Sequence, residues 1–174
     1  MKKIMILNGS GRKNGNTSGL VKAFMGGAIV AGNEVREFYL QSMNIHGCMN
    51  CLSCARAQAD ENCPCCQKDD MTKIYEAFLW CDVVVLASPL YWFTITGTLK
   101  TAVDRLYAIY KKHGNIKKSM ALLMTAGVPA YEHTLDWYNH FERVLGWKNL
   151  GTVLSKGLEE EKLEEARRLG ASIT

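Results

Sequence analysis

The chain has 174 residues, which is enough for one domain, so we expect a single core and no second module. Hydrophobic residues make up 48% and charged residues 22%, which excludes a disordered or low-complexity protein. The formal net charge of +4 is small and its cations are dispersed, so no nucleic-acid interface is predicted. No apolar window approaches a membrane span and the first residues lack a signal-peptide core, so we expect a cytoplasmic protein.

Short apolar runs alternate with segments of helical periodicity. The chain opens with a strand over residues 3–7, a glycine-rich loop and a helix from Thr17 to about Ala31, followed by a strand in EVREFYL. After a cysteine-rich loop at about residues 46–68, Asp69 or Asp70 is predicted to cap the next helix. The later elements are a helix in DDMTKIYEAFLWC, a strand in DVVVLASPL, a helix in TGTLKTAVDRLYAIYKK, a strand in SMALLMTAG, a helix in YEHTLDWYNHFERVLG, a strand in LGTVL and a helix over residues 158–169.

This alternation predicts an α/β fold. Parallel strands need crossover connections, and the helices that provide them cover both faces of the sheet. We therefore predict one doubly wound domain over residues 1–174, with a five-stranded parallel sheet between two helical layers. Ligands of such sheets bind beyond the carboxyl ends of the strands, so the loops after the first, third and fourth strands are the candidate site.

The first of these loops lies in LNGSGRKNGNTSGL, residues 7–20. Open backbone N–H groups at a helix N-terminus bind anions, and glycines let the backbone come close to them. Side chains that can donate to phosphate oxygens here are Ser10, Arg12, Asn16, Thr17 and Ser18. The glycine spacing matches neither the dinucleotide fingerprint nor the Walker pattern, so a phosphomonoester site is predicted. The alternative interpretation is a glycine-rich turn before a helix that Asn16 or Thr17 caps.

The other two loops supply features that suit a flat ligand. SPLYWFTITGTLK brings together three adjacent aromatic residues, 91–93, and at least one of them should line a cleft or a surface. Packing on a neighbouring helix or on a second subunit is the alternative. Thr125, Ala126 and Gly127 follow the fourth strand, and their small size leaves backbone groups free to hydrogen-bond the rim of a ring.

Six of the seven cysteines lie between residues 48 and 66. In a chain without a secretion signal, such cysteines are more often metal-binding or catalytic than disulfide-bonded. A C-x2-C-x2-C run with a later cysteine–proline pair is typical of a [4Fe–4S] cluster. The predicted ligands are Cys48, Cys51, Cys54 and Cys63, with Cys65 as the alternative fourth ligand. Zinc held by two C-x2-C pairs, at residues 51–54 and 63–66, is a competing interpretation.

Four stretches resemble a known family: NGSGRKNGNTSGL, DDM, SPLYWFTITGTLKTAVDR and LGWKNLGTVLSKG. They are similar to the flavodoxin-like NAD(P)H-dependent FMN reductases, including the iron–sulfur flavoproteins, over nearly the whole chain. The resemblance implies a 2-1-3-4-5 strand order and FMN held through its phosphate by the five donor residues of the first loop. It also implies that residues 125–127 border the flavin ring. The residues implied to flank that ring are Pro89, Leu90, Tyr91 and Trp92.

The resemblance implies an activity as well. FMN would take hydride from NAD(P)H and pass electrons to a quinone, a flavin or a similar small acceptor, or to a cluster; no protein acid or base is predicted because the flavin carries the chemistry. The alternative is an iron–sulfur flavoprotein that carries electrons for a redox protein partner. Cluster-free relatives leave open a cysteine loop without metal, and a flavin-free phosphatase or phosphotransferase is a third possibility. A homodimer or homotetramer is expected, with YEHTLDWYNHF as a candidate interface and no nucleic-acid or membrane partner.

Overall fold

The computed structural model describes residues 1–56 and 58–174. Strands and helices alternate in the predicted way. Their bounds are β1 Lys3–Asn8, α1 Asn16–Val30, β2 Glu34–Tyr39, α2 Met71–Trp80, β3 Val83–Pro89, α3 Gly97–Arg105, α4 Tyr107–His113, β4 Ser119–Ala126, α5 Glu132–Leu145, β5 Lys148–Lys156 and α6 Glu160–Ala171. Two short 3-10 turns, at Leu40–Ser42 and Ser53–Ala55, lie between β2 and α2. All strand pairs are parallel in the order β2-β1-β3-β4-β5, which confirms the predicted topology.

The central strands β1, β3 and β4 each contain a long apolar run because helices cover both of their faces. In β1, Met5 and Leu7 pack into the cluster that the sheet forms with α2, α3, α4 and α5. Ile4 and Ile6 point the opposite way, into the cluster with α1 and α6. Successive side chains of a strand alternate between faces, so a continuous apolar run is what a doubly covered strand requires.

One predicted helix is wrong in its length. TGTLKTAVDRLYAIYKK was predicted as a single helix, but the structure divides it into α3 and α4 at Leu106. The Leu106 N–H donates to both Ala102, at 3.2 Å, and Val103, at 3.1 Å. Sharing this donor with the carbonyl three residues back tightens the turn toward 3-10 geometry and interrupts the α-helical repeat.

Among the helices that the structure describes, none has the length and apolar character of a membrane span.

Candidate functional site

The first loop, residues 9–15, is held in shape by its own hydrogen bonds. Ser10 Oγ donates to the Arg12 carbonyl at 2.8 Å, and Ser18 Oγ donates to the same carbonyl at 3.2 Å. The Ser10 N–H donates to Asn8 Oδ1 at 3.0 Å, and the Gly15 N–H donates to the Arg12 carbonyl at 3.0 Å. The two serine hydroxyls are therefore buried within the loop and fix its backbone.

The N-terminus of α1 opens onto this loop without a side-chain cap. The N-cap residue is Gly15, so the alternative prediction that Asn16 or Thr17 caps the helix is wrong: both lie in its first turn. The first backbone bond of the helix end runs from Gly19 N–H to the Gly15 carbonyl at 3.0 Å, which leaves the N–H groups of residues 16–18 without a partner inside the helix. Exposed Arg12 lies in the same loop. Open N–H groups, the helix dipole and a cation together make an anion site.

Direct contacts join the first loop to the loops after β3 and β4. Thr96 Oγ1 donates to the Gly9 carbonyl at 3.0 Å, and Thr17 Oγ1 lies 2.7 Å from Thr125 Oγ1. The Leu90 N–H donates to the Thr125 carbonyl at 2.8 Å. Gly9 is required by this close approach, since a Cβ there would lie 2.6 Å from Thr96 Oγ1. The three loops thus meet at one edge of the sheet.

Residues 91–94 form a tight aromatic turn beside the first loop. The Tyr91 and Thr94 backbones exchange hydrogen bonds of 2.9 and 3.2 Å. Between them, Trp92 and Phe93 have φ angles of 49° and 69°, a left-handed conformation that costs bulky residues roughly 1–3 kcal/mol each. Trp92 is 91% exposed, and the Tyr91 hydroxyl would lie 3.7 Å from a Cβ on Gly11. The turn thus holds exposed aromatic rings in a strained conformation, and burial in the core does not compensate for that strain.

The remaining predicted ring contacts lie at the same edge. Pro89 is the last residue of β3 and Leu90 follows it, and both are half-buried. Thr125 and Ala126 end β4 and are buried, whereas Gly127 begins the exposed loop beyond. The predicted cofactor residues therefore surround one edge, although the hydroxyl of Thr17 is engaged with Thr125 and is not free.

The sequence analysis missed Ser155 on β5. Its Oγ is the one buried side-chain oxygen or nitrogen among the described residues that has no hydrogen-bond partner. Ser155 pairs in register with Thr125, so both side chains lie on the α1 face of the sheet. An unpaired buried hydroxyl costs about 1–3 kcal/mol. A donor left open beside the N-terminus of α1 fits a site that receives an oxygen-rich group. Because β5 also contains Asn149 and Thr152, a serine in this strand gives no distinctive signal in the sequence.

The cysteine loop, residues 46–68, packs against α3 and α4. Asn50 and Leu52 adopt left-handed φ angles of 52° and 56°, which curl the chain around its first cysteines. The cysteines among the residues that line a recess beside Arg105 are Cys48, Cys51, Cys54 and Cys65. All seven cysteines are unbridged. Within residues 1–56 and 58–174, no three histidine, cysteine, aspartate or glutamate side chains are arranged to hold a single metal ion.

The other two thiols of the loop have different neighbours. Cys63 Sγ lies 3.4 Å from Thr72 Oγ1, on the first turn of α2. Cys66 Sγ lies 3.5 Å from Cys51 Sγ. The hydrogen bonds of Cys51 with Ser53, together with that of Cys66, lower the pKa of the exposed Cys51 thiol to about 7. These contacts therefore favour the thiolate form of Cys51.

A buried ion pair, also missed in the sequence analysis, anchors the cysteine loop. Arg105 at the end of α3 binds Asp69 in a bidentate manner at 2.7 and 3.1 Å, and both side chains are 1% exposed. Arg105 also donates to the His46 carbonyl at 2.7 Å, and Asp69 accepts the N–H groups of His46, at 3.1 Å, and Met71, at 3.2 Å. One ion pair thus ties both ends of the loop to the domain.

The environment of Asp69 decides its charge. Burial by itself would raise the pKa of the carboxyl, but the hydrogen bonds from Arg105, His46 and Met71 outweigh it and hold the pKa below its usual range. Asp69 is therefore ionised beside Arg105. Asp70 is the N-cap residue of α2, as predicted, but its side chain makes no capping bond; Asp69 accepts the Met71 N–H instead.

Comparison with known proteins agrees with this architecture. The sequence model of the NADPH-dependent FMN reductases matches residues 2–157. A protein from Archaeoglobus fulgidus named iron–sulfur flavoprotein is 30% identical over 99% of this chain and 79% of its own length. A Bacillus subtilis protein, whose name describes an NAD(P)H-dependent FMN-containing oxidoreductase, is 27% identical over 89% of this chain and 85% of its own.

Solved structures share the fold at lower identity. The NAD(P)H:quinone oxidoreductase from Methanothermobacter marburgensis superposes with a TM-score of 0.75 at 18% identity, covering 97% of this chain and 94% of that one. The match to the family model covers nearly the whole chain, including the first loop, the aromatic turn and the ends of β3 and β4. The chain therefore belongs to the NADPH-dependent FMN reductase family and is an oxidoreductase of that family.

Proposed function

We propose that the chain binds FMN at the carboxyl edge of its sheet and passes electrons from NAD(P)H to a small acceptor, such as a quinone or a flavin, or to a cluster on the cysteine loop. Bound FMN supplies the redox chemistry, while the protein binds and orients the reactants. One observation carries the proposal: the uncapped N-terminus of α1 and the exposed aromatic turn meet at one edge of the sheet.

The first loop is proposed to hold the phosphate mainly through its backbone. Residues 16–18 offer N–H groups at the positive end of the α1 dipole, and Arg12 adds a cation. Ser10 and Ser18 already donate to the Arg12 carbonyl, so we assign them the task of keeping the loop open. Thr17 contributes its N–H, since its hydroxyl contacts Thr125. The Asn16 side chain is exposed and free to face a ligand.

The ring of FMN is proposed to lie between the loops after β3 and β4. Tyr91 and Trp92 offer aromatic faces, and Pro89 and Leu90 form an apolar wall. The backbone of residues 125–127 is the proposed partner for the polar rim of the ring. The unpaired Ser155 hydroxyl supports an oxygen-rich ligand at this edge.

A second candidate function is electron transfer to a redox protein through an iron–sulfur cluster. The recess lined by cysteine thiols favours it, because thiolates are the ligands of iron–sulfur clusters. The relative named iron–sulfur flavoprotein supports the same assignment. Zinc and a metal-free structural loop remain the alternatives for these cysteines.

We also propose a homodimer or homotetramer in the cytoplasm. An apolar groove of ≈ 770 Å³ runs between α4 and α5 and exposes Tyr107 and Tyr110 alongside half-buried Trp137 and Phe141. Tyr138 of α5 is fully buried and belongs to the core. Light scattering of the purified protein measures its oligomeric state. Seven unbridged cysteines suit a reducing compartment.

Anaerobic titration with NADH and with NADPH tests the function. We expect loss of the flavin absorption band with one of them; bleaching only by dithionite would instead favour the electron carrier, and a preparation that binds no FMN would contradict both. Arg12→Ala should weaken FMN binding roughly tenfold, since a charge-assisted hydrogen bond contributes about 1.5–3 kcal/mol before solvent screening. Arg168→Ala, which removes an exposed arginine from the last turns of α6, is the matched control.

A further inference from the structure

We propose that Cys51 and Cys66 form a reversible disulfide and that hydrogen peroxide is the oxidant that closes it. The two cysteines lie in opposite arms of the cysteine loop, residues 47–54 and 63–68. Their Sγ atoms are 3.5 Å apart, and both side chains are exposed. The pair is thus a site of covalent modification that goes beyond the reductase function and uses none of the residues assigned to FMN.

A series of hydrogen bonds holds the two arms of the loop side by side. At the base of the loop, the Asn44 N–H donates to Asp70 Oδ2 at 2.8 Å, and the Asp70 N–H donates to the Asn44 carbonyl at 3.0 Å. Farther along, Gln67 Nε2 donates to the Gly47 carbonyl at 3.0 Å. The contact between the two thiols is the next in this series. The folded loop therefore brings the pair together, although 14 residues separate them in the chain.

The distance between the sulfur atoms suits a disulfide after a small movement. A disulfide bond is about 2.05 Å long, so the sulfurs must approach by roughly 1.5 Å. Both side chains are exposed, so this approach displaces no residue of the core. The Cys51 thiol also donates to Ser53 Oγ at 3.4 Å, a weak hydrogen bond that the oxidised sulfur gives up. The reduced pair thus lies close to the geometry of its oxidised form.

The other four thiols of the loop have other neighbours or less exposure. Cys48 Sγ accepts the Asn50 N–H at 3.4 Å, and Cys63 Sγ lies 3.4 Å from Thr72 Oγ1. Three of the four are half-buried and so less accessible to a dissolved oxidant: Cys54, Cys63 and Cys65. Among the loop cysteines, all of which the structure describes, the proposed pair combines a contact between sulfurs with exposure of both.

Peroxide alone balances the oxidation. One sulfur of the pair attacks a peroxide oxygen, the O–O bond breaks, and a water leaves, so that the cysteine becomes a sulfenic acid. The other sulfur attacks the sulfenic sulfur, the S–O bond breaks, and a second water leaves as the S–S bond forms. The two thiols lose two electrons and two protons, which reduce one hydrogen peroxide to two waters. A small dithiol reverses the bond by exchange and is itself oxidised to a disulfide.

Peptide mapping of the FMN-loaded full chain tests the proposal. The protein is reduced with dithiothreitol, desalted and treated with hydrogen peroxide in the absence of NAD(P)H, and the remaining thiols are blocked with N-ethylmaleimide. Trypsin cuts after Arg36, Arg56 and Lys68, so a disulfide between the arms joins peptide 37–56 to peptide 57–68. Mass spectrometry should find this linked pair, and the number of free thiols should fall by two. Dithiothreitol should restore both thiols.

Three serine variants identify the cysteines that form the bond. Cys51→Ser and Cys66→Ser should each abolish the linked peptides. Cys48→Ser is the matched control, because it removes another exposed thiol from the same arm as Cys51 and should leave the linked peptides at the yield of the unmodified chain. FMN content and a thermal melt check that each variant is folded. If a serine variant fails to fold, the linked peptides and the thiol count of the unmodified chain still decide the proposal.

Linked peptides that persist at unchanged yield in Cys51→Ser or Cys66→Ser, or that disappear from Cys48→Ser, would overturn the assignment. So would sulfinic or sulfonic acids without linkage, disulfides between two chains on a non-reducing gel, or iron bound to the loop that protects both thiols from peroxide. Failure of the reductase function is seen separately, as the absence of flavin bleaching by NAD(P)H, because the peroxide reaction is followed without NAD(P)H.

Discussion

Asp69→Asn is expected to destabilise the fold by about 3–5 kcal/mol, the usual cost of breaking a buried ion pair by removing one partner. The estimate follows from the geometry: Asp69 contacts Arg105 at 2.7 and 3.1 Å, and each side chain is 1% exposed. Asparagine preserves the shape but leaves the guanidinium charge without a counter-ion. For a chain of this size 1 kcal/mol corresponds to roughly 2–4 °C in the melting temperature, so a decrease on the order of 10 °C is expected.

Asp104→Asn is the matched control. Asp104 precedes Arg105 in α3 and pairs with Lys100 at 2.6 Å, but both side chains are about half exposed, at 47% and 49%. An exposed pair four residues apart contributes only about 0.3–0.5 kcal/mol. Thermal and urea unfolding of both FMN-loaded variants measures the difference. Equal losses, or a loss below about 1 kcal/mol for Asp69→Asn, would refute the conclusion that the buried pair anchors the cysteine loop.

The pair also predicts how stability depends on pH. Because the folded state holds the pKa of Asp69 below its ordinary value of 3.8, ionised Asp69 stabilises the fold at pH above that value. This contribution is lost as the pH falls through the lowered pKa. Asp69→Asn should therefore flatten the acid side of the stability profile, while Asp104→Asn should leave it unchanged.

Three further perturbations test the site. Gly9→Ala should lower both the melting temperature and the FMN content, because its Cβ would lie 2.6 Å from Thr96 Oγ1, whereas Gly26→Ala in open space within α1 should stabilise by about 1 kcal/mol. Phe93→Gly relieves the strain of a left-handed residue, so it should stabilise the flavin-free protein by roughly 1 kcal/mol and raise its melting temperature. The same variant should bind FMN more weakly, as measured by fluorescence. In metal-free protein, the rate at which iodoacetamide alkylates Cys51 should be half its maximum at a pH of about 7 and should decrease at lower pH. Peptide mass spectrometry measures this rate.

Each of these has a contrary result. Equal melting temperatures for the two glycine variants would show that the first loop accommodates a methyl group at position 9 without cost. Tighter FMN binding by Phe93→Gly would mean that the strained turn does not face the flavin. An alkylation rate that rises only near the ordinary pKa of a thiol, 9.0, would contradict the hydrogen bond between Cys51 and Ser53.

The fold was predictable because its signal is carried by contiguous residues. Buried runs such as residues 4–7 and 83–87 are uniformly apolar, and helical periodicity between them leaves a parallel sheet as the one compatible arrangement. The strand order came from the resemblance rather than from periodicity. The break at Leu106 was not predictable, since the apolar repeat continues across it and a shared backbone hydrogen bond causes the interruption.

The location of the site was predictable from the sequence, but the roles of its individual residues were not. Hydroxyl residues of the first loop resemble phosphate ligands in the sequence, yet Ser10, Thr17 and Ser18 are bonded within the protein. Spacing alone cannot distinguish a side chain that contacts a ligand from one that shapes the loop. The pairing of Asp69 with Arg105 spans 36 residues, so no local pattern reveals it.

Helix α3 explains how the two candidate centres are held relative to each other. Its N-cap residue, Thr96, donates to the Gly9 carbonyl in the first loop, and its last residue, Arg105, binds Asp69 at the end of the cysteine loop. At 1.5 Å per residue these contacts are separated by about 13 Å along the helix axis. A rigid helix therefore sets the spacing between the phosphate loop and the thiol recess. Because the same helix contacts both loops, disruption of the Arg105 anchor should loosen the cysteine loop while Thr96 still holds Gly9, so Asp69→Asn protein should still bind FMN.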